Sequence, residues 1–186
     1  MKKKIRIGKK AQEIGQVFVF IIAIITFALI MIFGYKTITD FMHKGDEVKF
    51  YQFKMDLENS VKKIYTEYGS SRTEKFSPPS KISQVCFVDL DYGTTELTRE
   101  MAALCAKDQV ACEAWAEAKK AKDDGKSGYD AVNQNVFLKP LIAGTQEIKV
   151  FHISIKKDTV GFLCLPVEDG FFQLTLKGMG DRTDIS

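Results

Sequence analysis

A run of seventeen residues near the N-terminus, Val17–Phe33, sets the strongest limit on how this chain folds. Its one polar member is Thr26, and no charged residue lies between Glu13 and Lys36. A helix of about 20 residues spans the hydrocarbon core of a bilayer at 1.5 Å per residue. A buried helix of a globular protein usually keeps a polar stripe, which this run lacks. The run therefore predicts a transmembrane helix over residues 14–35.

The charge on either side of this run predicts its orientation. Residues 1–13 hold six Lys or Arg residues against one acid, so a net charge of +5 precedes the run and −2 follows it, within a total of +3. Because positive flanks stay on the cytoplasmic side of a membrane, we expect segment 1–13 in the cytoplasm and residues 36–186 outside. A signal peptide has a shorter apolar region and a small-residue cleavage site, which Gly34–Thr37 does not offer. The acidic body also lacks the basic face that nucleic-acid binding needs.

An amphipathic helix is predicted to continue the membrane segment as a stalk over residues 36–69. Its apolar residues recur at steps of three and four, which is one face of an α-helix. They are Phe50, Phe53, Leu57, Val61, Ile64 and Tyr68. Gly69 is a typical C-terminal stop. One nearly continuous helix is therefore expected from Gln12 to Tyr68, with an apolar face that needs a partner.

The remaining residues, 70–186, are predicted to form an extracytoplasmic α+β domain. Residues 70–80 contain two prolines and are expected to be a linker. Five segments read as strands: 82–90, 135–138, 148–155, 160–166 and 171–177. The last three are expected to form an antiparallel meander that the stalk helix covers, since Asp169-Gly170 is a strong hairpin signal.

The predicted fold class is therefore α+β. A long N-terminal transmembrane and stalk helix packs on a small antiparallel β-sheet, and residues 91–134 form a helical insertion between the first two strands.

Four cysteines, Cys86, Cys105, Cys112 and Cys164, lie on the predicted outer side of the membrane. An even number in an oxidising place predicts two disulfides, for which three pairings exist. Cys105 and Cys112 would be about 10 Å apart on an unbroken helix, beyond the reach of a disulfide, and can pair only if the helix breaks near residues 107–109. We favour Cys86–Cys164 with Cys105–Cys112, and the two crossed pairings stay open. A zinc site would need C-x2-C spacing, which is absent.

Other chemical motifs are incomplete. Acids stand at positions 1, 3 and 12 of a calcium-loop pattern that would run from Asp89 to Glu100, but the sixth position, where the pattern needs Gly, is Thr94. His43 and His152 have no accompanying nucleophile motif. The sequence therefore predicts no catalytic residue, metal ligand or cofactor.

The N-terminal residues Lys9-Lys10-Ala11-Gln12, followed by the apolar run, resemble the class III signal sequence of archaeal type IV prepilins. The resemblance implies that a membrane-bound prepilin peptidase cuts between Ala11 and Gln12 and leaves the apolar helix on the mature chain. It also implies the pilin fold, a long N-terminal helix whose outer half packs on an antiparallel sheet. Glu13 would then be the second mature residue, where it could neutralise the Gln12 amine of a neighbouring subunit.

Two functions of different classes follow. The first, implied by the resemblance, is a non-enzymatic structural subunit of a type IV pilus-like surface filament or pseudopilin-like assembly, which forms homo-oligomers through the N-terminal helix. The alternative is an uncleaved, single-span, membrane-anchored surface protein whose outer domain binds a partner. The first function requires processing at Lys10–Gln12, whereas in the second segment 1–13 remains a cytoplasmic anchor.

Overall fold

The computed structural model of the chain describes residues 9–93, 98–141, 147–155 and 161–186. Its elements follow in the order α1 (Lys9–Tyr65), β1 (Ser71–Phe76), β2 (Gln84–Val88), α2 (Thr98–Lys107), α3 (Gln109–Asp123), α4 (Gly128–Ala131), β3 (Val136–Lys139), β4 (Ile153–Ile155), β5 (Phe162–Pro166), β6 (Phe172–Gly178) and β7 (Thr183–Ile185). The chain divides into two compact units, Met1–Gly45 and Asp46–Ser186. The α+β class and the long N-terminal apolar helix are thereby confirmed.

Within the second unit, helix α1 buries the predicted apolar stripe. Five of its six members are at most 4% exposed: Phe50, Phe53, Leu57, Val61 and Ile64. They belong to a hydrophobic core shared with both sheets. The sixth, Tyr68, is 79% exposed because the helix ends at Tyr65, three residues before the predicted end. Gly69 then turns the chain with a φ of 79°, a left-handed conformation that favours glycine.

The strands form two small sheets rather than one meander. One sheet has the order β1-β6-β7-β4 and the other β3-β2-β5. All pairs are antiparallel except β4 with β7. The Asp169-Gly170 turn is present, but beyond the Glu168–Phe171 bridge β5 and β6 separate into different sheets. The meander prediction was therefore wrong.

Strand β5 leaves the predicted meander because both of its faces contact apolar residues. Leu163 and Leu165 pack against the core beside α1, whereas Phe162 and Cys164 pack in a second core. A strand of a one-sided antiparallel sheet alternates apolar with polar residues instead. Residues 162–165 are apolar throughout, so the strand joins the central β2 and lies between two cores.

The linker prediction for residues 70–80 was also wrong at its centre, where Ser71–Phe76 forms β1. This strand pairs with β6 from Ser71 opposite Lys177 to Phe76 opposite Phe172. It was missed because only Phe76 among its side chains is buried, and polar strands carry little sequence signal. With β1 present, helices α2–α4 lie between the second and third strands, so an insertion between the first two is not confirmed. The strand expected over 148–155 is also shorter, because β4 covers only its last three residues.

Helices α2–α4 cover the face of the β3-β2-β5 sheet that points away from α1. Alternate residues of β2 supply the two cores: Val85 and Phe87 face the α1 core, and Cys86 and Val88 face the helices. The centre of the second core is Trp115, whose side chain is fully buried. The small sheet is therefore the middle layer of the second unit.

Candidate functional site

The N-terminal part of α1 exposes an unbroken apolar surface. Every large apolar side chain from Val17 to Phe33 is between 46% and 68% exposed within the single chain. The one polar side chain, Thr26, donates its hydroxyl to the carbonyl oxygens of Ile22 and Ala23, at 2.9 and 3.0 Å. By length and composition the helix can cross a membrane. No polar group of this run then remains unsatisfied in lipid.

The residues predicted for processing and assembly lie near the start of this helix. Lys10, Ala11, Gln12 and Glu13 follow its first residue, Lys9. Their side chains lie outside the part of the chain that the structure describes.

A second apolar stripe on α1, which we had not predicted, lies within the second unit. Val48 and Met55 are 63% and 60% exposed, and Tyr51 between them is 38% exposed. At 100° per residue these three lie largely opposite Leu57 and Val61. Their steps of three and four were a readable signal, which the stronger buried stripe masked. We call Val48, Tyr51 and Met55 the outer stripe.

Two disulfides tie the second unit together. Cys86 and Cys164 stand directly opposite in the β2–β5 register, with their Cα atoms 4.0 Å apart. Cys105 and Cys112 are joined with a Cα separation of 4.8 Å. This pairing is the one that the sequence favoured. All four cysteines are engaged in these two bonds.

The short disulfide depends on a helix break at Asp108. Helix α2 ends at Lys107, and Asp108 adopts an extended conformation. Its side chain accepts a hydrogen bond from the backbone N–H of Ala111, at 3.0 Å. An aspartate in this position caps the new helix. The break reverses the chain and brings the two cysteines within bonding reach.

The loop after β2 is a polar junction. Asp89 is 6% exposed, and its carboxylate accepts a hydrogen bond from the N–H of Asp91 at 3.0 Å. Lysines of α3 hold the loop backbone: Lys119 donates to the Tyr92 carbonyl, and Lys122 donates to the carbonyls of Asp91 and Gly93 at 2.7 and 2.9 Å. Burial raises the pKa of Asp89 to about 6, and burial also lowers the pKa of Lys119.

The same loop meets His152, which lies just before β4. The imidazole stacks on the Tyr129 ring with centroids 4.1 Å apart, and its Nδ1 lies 3.9 Å from the Asp91 carboxylate. Asp91 also accepts from the N–H of Tyr129 at 3.3 Å. An open groove of about 390 Å³ runs past these groups to Arg182. The sequence did not predict the contact between Asp91 and His152, because the two residues are 61 positions apart in the chain.

The groove also contains Ser154, which lies two residues after His152 along the chain. Within the residues that the structure describes, no hydrogen bond joins the Ser154 hydroxyl to the His152 imidazole.

The calcium-loop pattern falls partly on residues 94–97, outside the described residues. Across the described ranges, no three His, Cys, Asp or Glu side chains are placed to hold a metal ion.

Comparison of the chain with family models, with curated proteins and with solved structures gives no match.

Proposed function

We propose that this chain is a structural, non-catalytic subunit of a type IV pilus-like surface filament or of a pseudopilin-like assembly. It is made as a precursor with a class III signal, and a prepilin peptidase cuts it between Ala11 and Gln12. The mature chain sits in the cell membrane with one span, the basic leader side in the cytoplasm and the second unit outside. From there it enters an extracellular filament of identical subunits.

The observation that carries this proposal is the apolar surface of α1. The run Val17–Phe33 in the first unit has no polar stripe. The outer stripe in the second unit also exposes apolar side chains. Lipid and neighbouring apolar helices offer such a surface similar surroundings, so the helix can exchange one for the other. Ala23, Ala28 and Gly34 allow close approach of helices.

The fold supports the same proposal. The second half of α1 buries one face on the strands of the second unit, as the resemblance implies for a pilin. The two disulfides fit an oxidising location outside the cytoplasm. A filament subunit needs a stable outer unit but no reactive centre.

Mass spectrometry of the N-terminus tests the processing step. Native membranes and material sheared from the cell surface are analysed separately. We expect a chain that begins at Gln12 in the sheared fraction. A chain that keeps its basic tail and occurs only in membranes would refute the filament.

Substitution of Glu13 tests the assembly step. Glu13→Gln removes the charge that would neutralise the Gln12 amine of a neighbour, so we expect processed chains in membranes and few in filaments. Glu117→Gln changes an exposed acid on α3 and is the matched control. Normal filaments from Glu13→Gln would show that this charge has no part in assembly.

The second candidate is an uncleaved, single-span surface protein whose outer domain binds a partner. The six bases in residues 1–13 favour it, because they would anchor the tail in the cytoplasm without any cleavage. An intact tail in the first experiment supports this candidate.

A further inference from the structure

Strand β1 lies at one edge of its sheet. Among the strands that the structure describes, it pairs with β6 alone. The N–H of Gly178 donates to the carbonyl of Ser70 at 2.9 Å, which puts even-numbered residues of β1 in hydrogen-bonded pairs with β6. The N–H and C=O groups of Ser71, Thr73 and Lys75 therefore point to the other edge. Within the described ranges no strand pairs with that edge.

An open groove of about 700 Å³ lies between this edge and the flank of α1. Gln52, Asp56 and Asn59 line it from the helix, and Glu74 and Phe76 line it from the strand. One wall thus offers polar side chains at helical spacing, and the other is the free strand edge. An extended peptide that adds to such an edge gains main-chain hydrogen bonds, and its alternate side chains meet the helix.

The positive charges of β1 do not block this edge. Proteins often protect edge strands with Lys or Arg residues, and β1 has two. Arg72 donates to the carboxylate of Glu67. The Lys75 ammonium lies 3.2 Å from the centroid of the Phe171 ring. Both cations are therefore engaged with their own chain.

Two carboxylates that line the groove are available to bind a cationic side chain of a ligand. Asp56 and Glu74 form no ion pair within 4 Å among the residues that the structure describes. Two lysines, Lys49 and Lys75, also line the groove. Because the Lys75 ammonium is held over the Phe171 ring, an acidic ligand has one lysine without such a contact, whereas a basic ligand has two carboxylates. We propose that the groove between β1 and α1 binds an extended segment of a partner protein, which adds as a strand to β1 and places a Lys or Arg side chain against Asp56 and Glu74.

This docking is independent of processing and filament formation. It needs only the second unit, folded and accessible outside the membrane. A partner bound in this way would be recognised by its extended backbone and by alternate basic residues, rather than by a folded surface.

Peptide binding to the full chain in detergent micelles tests the proposal. The probe is a fluorescent seven-residue peptide of alternating valine and lysine. One control peptide has glutamate in place of lysine, and another carries N-methyl groups on alternate amides, which prevents strand addition. We expect the lysine peptide to bind at least tenfold more tightly than either control. Equal binding of the N-methylated peptide would reduce the effect to surface charge and overturn the proposal.

Variants of the chain locate the site. Glu74→Lys and Asp56→Lys should each weaken binding about tenfold, whereas Glu117→Lys, on a distant exposed helix face, should not. Thr73→Pro removes a free N–H and should abolish binding while the fluorescence of buried Trp115 stays native. Should Thr73→Pro not fold, the N-methylated peptide tests the same hydrogen bonds.

Unchanged affinity in both charge variants would overturn the proposal. So would an oligomer of the chain that Glu74→Lys converts to monomers, because the groove would then belong to a second copy.

Discussion

Burial of Asp89 should make the second unit less stable as the pH rises. Burial raises the pKa of this carboxyl from 3.8 to about 6, against the hydrogen bond from the Asp91 N–H and the charge of Lys119. The folded state therefore holds the proton more tightly than the unfolded state does. The stabilisation is fully present below about pH 4 and is lost as the pH rises through about 6.

The size of the effect follows from the two pKa values. A change from 3.8 to about 6 corresponds to about 3 kcal/mol over the full pH range, at 1.36 kcal/mol per unit. Proton linkage predicts that about 2 kcal/mol of this stabilisation is lost between pH 4.5 and pH 7.5. Asp89→Asn has no charge at either pH and keeps an oxygen that accepts from the Asp91 N–H. At each pH we compare the free energy of unfolding of the variant with that of the natural chain. This difference should shift by about 2 kcal/mol in favour of the variant between pH 4.5 and pH 7.5.

The chain contains its own probe for this measurement. Trp115 is the single tryptophan, and its ring lies 6.5 Å from that of Tyr92 and 6.3 Å from that of Phe162, centroid to centroid. Its fluorescence therefore reports unfolding of the second unit in urea, with the full chain held in detergent micelles. Asp123→Asn, an exposed acid on α3, is the control. Parallel pH profiles for the natural chain and Asp89→Asn would refute the reasoning.

The same urea titration checks three further predictions. Leu57→Ala removes a fully buried side chain from the α1 core and should cost about 3 kcal/mol; a loss below about 1 kcal/mol would contradict that packing. Removing the Cys86–Cys164 disulfide should cost about 4 kcal/mol of stability, because it closes a sequence separation of 78 residues. Removing the Cys105–Cys112 disulfide, with a separation of 7, should cost about 2 kcal/mol. Equal costs would refute the loop-length argument. Gly178→Ala would place a Cβ in steric overlap with the Ile64 carbonyl oxygen, so we expect a loss of about 2 kcal/mol. A neutral result would show that β6 can move away from α1.

Helical features were the most predictable part of this fold. Phe50, Phe53 and Leu57 repeat at the period of a helix, so burial of one face could be read directly from their spacing. The break at Asp108 was also readable, because a disulfide between Cys105 and Cys112 requires it. Both inferences rest on residues that are close in sequence.

The sheets were less predictable because their pairing depends on distant residues. Strand β1 carries mostly polar side chains, and its partner β6 lies about 100 residues later in the chain. The hairpin signal at Asp169-Gly170 fixed the turn but not the sheet that each strand joins. That choice depends on two cores competing for the apolar residues of β5.

The polar junction was the least predictable. In the sequence, Asp89 and Asp91 fit part of a calcium-loop pattern, whereas His152 lies in a distant segment. Asp89 and Asp91 follow the end of β2, His152 lies just before β4, and the fold brings Asp91 and His152 within 3.9 Å. No local pattern encodes that meeting, so side chains from distant segments could not be joined in advance.

The order of strands in the larger sheet has a consequence for folding during synthesis on the ribosome. Strands β6 and β7 stand in the middle of that sheet, between β1 and β4, although they follow all the other described elements in chain order. About 120 residues separate Ile64 from Ile185, which at 5–20 residues per second takes about 6 to 24 s on the ribosome. For that interval the apolar face of the second half of α1 lacks the larger sheet, which completes its cover. A nascent chain in this state is a natural client for a chaperone, and loss of β6 and β7 would leave it aggregation-prone.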